Sequence, residues 1–335
     1  MNRRGSAAFL LLFFLLCACA PGEKTPITVT IPEGSTATQI ARLLREAGVI
    51  GSTRWFLFLV QLRKGSNRLH AGTYSFPPPH SAGKALAALK EGRTLTISVT
   101  IPEGYASWQI ADKLEKAGIC GGGAFLAEVS TRGAEGFLFP ETYFLEKKTS
   151  PGQVIDVMRA QYETVWEQMV RTAADTGRLR VEFGKSTDVR SADVWVRDKR
   201  YTPKQILTLA SLIEREARKP EERPLVSSVF HNRIRKRWYI ESCATVQYSL
   251  GEWKPRLTYK DLDVPSPYNT YRHFGLPPGP ICSPGKAALE AALFPADSEA
   301  MFFLADGQGS HTFYSSYEDH LRGKRHKRAE RRKKR

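Results

Sequence analysis

The sequence predicts an α+β fold in which a β-α-α-β unit is used twice ahead of a mixed α+β domain. Three observations carry this. Residues 29–50 (VTIPEGSTATQIARLLREAGVI) and 99–120 (VTIPEGYASWQIADKLEKAGIC) are identical at 12 of 22 aligned positions. Each copy passes from strand-like alternation into helical spacing of its apolar residues. A further helical pattern opens at Thr202-Pro203, well beyond the second copy. With 335 residues, 41% apolar and 25% charged, the bulk of the chain is globular in composition. Five cysteines are too few for a disulfide scaffold of this length.

In the first copy, Ile27–Ile31 alternates as a strand and Pro32-Glu33-Gly34 ends it. Thr36 with Gln39 is a capping-box pair, and Ile40, Leu43, Leu44 and Ala47 follow at helical spacing to Gly48. Ser52 caps a second helix over 53–62, and a strand near 70–76 follows. The similarity continues faintly. Gly72-Thr73-Tyr74-Ser75-Phe76 is echoed by Glu141-Thr142-Tyr143-Phe144, and Ser81-Ala82-Gly83 by Ser150-Pro151-Gly152, each pair opening a helical stretch. The first unit therefore spans 26–92 and the second 95–170. Residues 171–200 lack periodicity and read as an irregular connection to a domain over 201–321.

In that domain Thr202 is an N-cap and Pro203 sits at the first helical position. Ile206, Leu209, Ala210, Ile213 and Ala217 make one apolar stripe. Glu214 and Glu216 then lie on its two edges, about 80° to either side at the helical angle. A half-buried carboxyl keeps its proton to higher pH, which a general acid needs. Periodicity does not choose between the two, and both also suit ordinary surface ion pairs.

The N-terminus predicts export. Arg3 and Arg4 precede fourteen apolar or small residues, 7–20, short for a spanning helix and suited to a signal segment or short anchor over 1–20. Leu16-Cys17-Ala18-Cys19 looks like a bacterial lipobox with Cys19 as the lipidated residue. Either way the body is expected on the outer side of the cell membrane. There a disulfide can persist, and Cys243 with Cys282, both in the Gly/Pro-rich C-terminal half, is the pair singled out over Cys120. No cysteine–histidine spacing suits a metal, and neither a GxSxG elbow nor a P-loop occurs. Net charge is +16, and residues 322–335 hold ten Lys or Arg against Glu330 alone. Exported, that tail would meet no nucleic acid, so anionic lipid or acidic wall groups are its expected partners, reached by a solvated segment.

A run of motifs resembles the YceG-like family of endolytic murein transglycosylases. They are Gly136–Tyr143 (GFLFPETY), Leu209–Ala217 (LASLIEREA), Val226–Ile234 (VSSVFHNRI), Thr245–Tyr248 (TVQY), Ser266–Tyr271 (SPYNTY), Gly275–Ile281 (GLPPGPI), Ser283-Pro284-Gly285, Phe302–Gly307 (FFLADG) and His311-Thr312-Phe313, in order along about residues 26–321. The resemblance implies an enzyme that cuts MurNAc–GlcNAc β-1,4 bonds inside peptidoglycan strands, leaving 1,6-anhydroMurNAc ends and needing no cofactor. It places the essential acid on Glu214, with Glu216 as support. It implies glycan contacts from Asn269, Tyr271, Tyr268 and Gln247, and treats His311 as structural. The repeat units resemble LysM modules, with Tyr105, Trp108 and Trp55 as sugar platforms. Peptidoglycan synthases are the implied partners. The chain departs from many relatives in carrying Cys243-Ala244 where they have Asp-Pro. A non-catalytic glycan-binding scaffold of the same fold is the alternative.

Overall fold

The computed structural model describes residues 25–62, 69–184 and 188–333. The 1–20 segment and Cys19 lie outside the described residues. Chain contacts define two units, up to Leu95 and from Thr96 onward.

The first unit is one copy of the repeat. Strand β1 (Ile27–Ile31) leads through Gly34, at φ +73°, into helix α1 (Ala37–Glu46). The left-handed turn is why a glycine stands there. Thr36 caps α1 in the predicted box: its N–H donates to Gln39 Oε1 at 2.8 Å and its Oγ1 accepts from the Gln39 N–H at 3.3 Å. Helix α2 (Thr53–Leu62) buries Phe56 but leaves Trp55 and Phe58 exposed, stacked on each other at 5.4 Å. Strand β2 (Gly72–Phe76) pairs antiparallel with β1, and helix α3 (Ala82–Glu91) follows. Ile31, Ile40, Leu44, Phe56, Tyr74 and Leu86 form the core.

The second copy repeats this order as β3 (Thr96–Thr100), α4 (Ser107–Lys116), α5 (Gly122–Arg132), β4 (Thr142–Glu146) and α6 (Pro151–Asp175). The likeness reaches side chains beyond the 22-residue match. Thr30 and Thr73 hydroxyls bond across β1 and β2 at 3.1 Å, as Thr100 and Thr142 do across β3 and β4 at 2.9 Å. Tyr74 donates to the carbonyl four residues back at 2.7 Å, and Tyr143 does so at 2.6 Å. The copies differ at the cap: Ala106 replaces Thr36, and only the Gln109 half of the box survives, accepting from the Ala106 N–H at 3.1 Å.

Among the described residues of 171–200, a helix end and three strands stand where an irregular connection was expected. Helix α6 continues to Asp175, and β5 (Arg180–Glu182), β6 (Asp193–Val196) and β7 (Lys199–Tyr201) form a three-stranded antiparallel sheet. These strands are three or four residues long and are tied by charge. Arg200 bridges Asp193 at 2.6 Å and Glu182 at 3.0 Å, and Arg180 lies 4.6 Å over the Trp195 ring. Alternation that short leaves little periodicity to read.

The remainder surrounds helix α7 (Pro203–Glu216), capped by Thr202 and Gln205 as predicted. Around it stand α8 (Arg223–Arg235), α9 (Cys243–Leu250), the short α10 (Tyr259–Leu262) and α11 (Lys286–Leu293). The polar residues of the His231-Asn232-Arg233 run are structural. His231 links Tyr201 OH and the Ala292 carbonyl at 3.0 Å each, Asn232 Nδ2 donates to Ser298 O and Ala300 O, and Arg233 Nε donates to Met301 O at 2.7 Å. A hairpin of β8 (Phe302–Ala305) and β9 (His311–Tyr314) follows. The basic tail to residue 333 belongs to a continuous helix, α12 (Tyr317–Lys333), seated through Tyr317 and buried His320 against Phe302, while Arg322, Lys324, Arg325 and Arg328 stay exposed. That apolar anchorage lies upstream of the basic run, so the run's composition did not reveal it.

The second copy is built into this unit. Trp108 packs on Tyr248 and Trp253 at 5.4 and 5.5 Å, Trp253 Nε1 donates to Gln109 at 2.7 Å, and Tyr105 pairs backbone-to-backbone with Ser283. Glu135 accepts from the Ser107 hydroxyl at 2.6 Å and the Tyr248 hydroxyl at 3.4 Å.

Candidate active site

Helix α7 stops at Glu216 because Ala217 turns extended, at ψ 107°. Its last turn sends its two glutamates to opposite sides.

Glu214 is enclosed by hydrogen-bond donors. Its Oε1 accepts from Arg223 Nη2 at 2.9 Å, and its Oε2 accepts from the Gly285 N–H at 3.1 Å. The side chains of Glu214 and Arg223 are 7% and 11% exposed, so this pair is buried. Glu103, from the Pro-Glu-Gly turn of the second repeat, lies 3.5 Å from the same guanidinium. Its carboxyl lies above the ordinary range, raised by burial and by the charge of Glu214, with Arg223 opposing. A Cβ at Gly285 would fall 1.8 Å from Glu103 Oε1, so any side chain there would displace the Glu103 carboxylate. Between the two glutamates, Arg215 stacks 3.9 Å from the Trp253 ring centre.

Glu216 faces a cleft of about 380 Å³, a size suited to a ligand. Tyr271, Cys243, Glu241 and His311 share its walls. The residue keeps some surface open to the cleft, yet its carboxyl is packed among protein atoms. Burial raises its pKa. Four influences oppose: the Ser242 hydroxyl, which donates to Oε1 at 2.5 Å, the charge of His311, the Ala244 N–H and the charge of Arg215. Desolvation wins, so the group stays above the ordinary carboxyl range.

His311 is held at the cleft by Glu222, whose Oε2 meets Nδ1 at 2.7 Å while Oε1 accepts the His311 backbone N–H at 3.0 Å. Burial acts to raise the Glu222 carboxyl, but these contacts outweigh it and hold it below its usual range. Tyr271 OH lies 3.2 Å from Cys243 Sγ, and burial pushes that phenol well above its ordinary value.

The other expected sugar contacts are placed elsewhere. Asn269 is fully buried: Nδ2 donates to Leu262 O and Val264 O at 2.8 and 3.0 Å, and Oδ1 accepts from the Tyr271 N–H. It fixes the loop that presents Tyr271 and has no free group for a ligand. Gln247 Nε2 donates to Lys254 O at 2.9 Å, and Tyr268 packs on Tyr248 at 4.8 Å. The expected Cys243–Cys282 disulfide is absent, and both thiols are free. Cys243 opens to the cleft, whereas Cys282 is buried against the Ser211 carbonyl at 3.4 Å, so the two serve different surroundings. A groove of about 700 Å³ runs beside Tyr105 and Trp108 on the second repeat. Among the described residues no group of His, Cys, Asp and Glu could hold a metal.

Sequence reasoning missed Ser242, Glu241 and Glu222. Ser242 directly precedes Cys243, the position of the noted departure, and that adjacency was the available signal. Glu222 sits in a short 3₁₀ turn, 89 residues from its partner His311, and had none.

An α+β chain whose capped helix delivers a buried carboxyl to a cleft is the architecture of a carboxylate-dependent enzyme site. Residues 29–326 match the YceG-like family, and the chain belongs to it. It is 29% identical over 350 residues to the endolytic murein transglycosylase of Bacillus subtilis (strain 168), covering 95% of this chain and 89% of that one. The endolytic murein transglycosylase of Streptococcus pneumoniae serotype 2 is 28% identical over 344 residues, with 90% of this chain and 58% of the relative aligned. The crystal structure of a yceG-like protein from Listeria monocytogenes superposes with a TM-score of 0.54 at 30% identity, covering 89% of this chain and 99% of that one.

Proposed function

We propose that the protein is an endolytic peptidoglycan lytic transglycosylase and that Glu216, not Glu214, is its general acid. Relatives named for this activity support the reaction class. The observation that carries the acid is the carboxyl of Glu216, desolvated at the edge of a cleft and bonded to Ser242. Glu214, already accepting from Arg223 and the Gly285 N–H, is suited to holding the Ser283–Gly285 loop on α7.

In this reading protonated Glu216 gives its proton to the glycosidic oxygen between MurNAc and GlcNAc. The C1–O bond breaks, the GlcNAc hydroxyl leaves, and C1 becomes oxocarbenium-like. Ionised Glu216 then takes the proton of the C6 hydroxyl of the same MurNAc. That oxygen bonds C1, closing a 1,6-anhydro ring and restoring the acid. No water is consumed, so no second carboxylate has to activate one. The Ser242 hydroxyl, the His311 charge, the Ala244 N–H and the Arg215 charge favour the ionised state reached halfway. The cleft has Cys243 where many relatives carry Asp, so those four groups carry that task. Tyr271 supplies an aromatic face for a pyranose. Tethering through residues 1–20 to the outer side of the membrane, and partnership with glycan synthases, complete the proposal. Among the described residues no helix is long and apolar enough to cross a membrane.

Mass spectrometry of strands treated with the body of the protein tests this. Internal cuts ending in anhydroMurNAc are expected. Glu216→Gln should lower the rate by roughly 10²–10⁴-fold, and Glu214→Gln should keep the cuts while melting earlier. Retained activity in Glu216→Gln with loss in Glu214→Gln would return the role to Glu214. Hydrolytic reducing ends, or uncut strands that still bind, would sink the reaction.

A further inference from the structure

Helix α12 begins in the wall of the cleft that holds Glu216. Tyr317, His320 and Lys324 are three and four residues apart, so they share one helix face, and all three line that cleft. Arg328, four residues on, carries the same face beyond it. Arg322 is paired with Asp319, and His326 lies 3.7 Å from Glu330. Among the described residues, Lys324, Arg325 and Arg328 have no acidic partner, and Lys324 and Arg328 are exposed. The sequence continues as Arg331-Arg332-Lys333-Lys334-Arg335, and the family match ends at residue 326.

A helix with like charges four apart and no apolar face beyond its anchorage is not stabilised by itself. An anionic ligand would stabilise it. The basic row starts inside the cleft, so the ligand has to be one that also enters the cleft, which a bilayer does not do. The exposed part of the helix also has no apolar face to insert into lipid. We propose that the Lys324–Arg328 face of α12 extends the cleft and binds carboxylates of the peptides carried by a glycan strand. Strands that bear peptides would then be preferred over bare ones. This rests on the glycan-strand reading above and names the form of strand preferred.

The test uses the full chain with Glu216→Gln, so that strands are bound and not cut. Fluorescence anisotropy would compare labelled peptide-bearing strands with the same strands stripped by an amidase. Peptide-bearing strands should bind roughly five- to tenfold more tightly, and the difference should shrink as salt rises from about 0.05 M to about 0.3 M. Lys324→Gln with Arg328→Gln, which keeps helix propensity at exposed positions, should erase the preference, so that peptide-bearing and stripped strands bind the variant alike. Equal affinity for both strands overturns the proposal, as does a preference that survives the double substitution. Binding to phosphatidylglycerol vesicles that the substitution abolishes, with strand binding unaffected, overturns it in favour of a lipid surface. Failure of the unsubstituted protein to cut either strand, with the preference intact, would sink the enzymatic reading and leave this one standing.

Discussion

Two carboxylates two positions apart on α7 meet different surroundings because a helix turns about 200° between them. Glu214 meets a guanidinium and a backbone N–H, and Glu216 meets a hydroxyl and a cleft. The sequence put both on the edges of the apolar stripe but could not rank them, because the deciding partners lie far along the chain. Ser242 is 26 residues from Glu216, and Gly285 is 71 from Glu214. Asn269 misled for a similar reason, since its amide is spent on carbonyls five and seven residues back. The raised pKa of Glu216 has a consequence for stability. The native state holds this proton more tightly than the unfolded chain does, so its contribution is complete below the unfolded carboxyl pKa. It is lost as pH rises from there through the raised native value. Glu216→Gln, which keeps an oxygen for Ser242, should therefore melt at or above the wild-type temperature at pH 7. That advantage should vanish near pH 4, as thermal denaturation across pH would record. Cleavage by the wild type should fall on an alkaline limb above the ordinary carboxyl range.

At the scale of elements, capping residues were the most legible signal and small strands the least. The Thr36, Ser52 and Thr202 caps all form as their sequences predict, because a cap is decided within four residues. Thr202→Ala should cost about 1 kcal/mol through the start of α7 alone, measurable as a shift of the denaturant midpoint with unchanged slope. The three strands between α6 and α7 are hard to read because their pairing is charged and they bury two residues, one residue and none in β6, β7 and β5. Helix α12 was obscured by the basic run, whose composition conceals that Tyr317 and His320 fasten it to β8.

At the scale of the molecule, motif order located the functional half, and the break read between 92 and 95 lies beside the division after Leu95, whereas the boundary read at 201 falls inside a shared core. Tyr162 and Trp166 of α6 share a core with Leu209 and Ile213 of α7. A fragment beginning at residue 201 would leave that core open. It is expected to lack a cooperative melting transition, whereas residues 96–335 should melt as one unit, and calorimetry of the two would check this. The duplicated Pro-Glu-Gly turn adds a different consequence. In the first unit Gly34 takes the turn at φ +73° between β1 and α1. In the second, Glu103 covers Gly285 and approaches Arg223, while the Gly104 N–H donates to Ser283 O at 2.9 Å. Two segments that are near copies as text thus carry unequal obligations. The chain contains its own internal control, in which one mutation introduced at two equivalent addresses separates what a turn needs in order to fold from what an active enzyme needs of that turn.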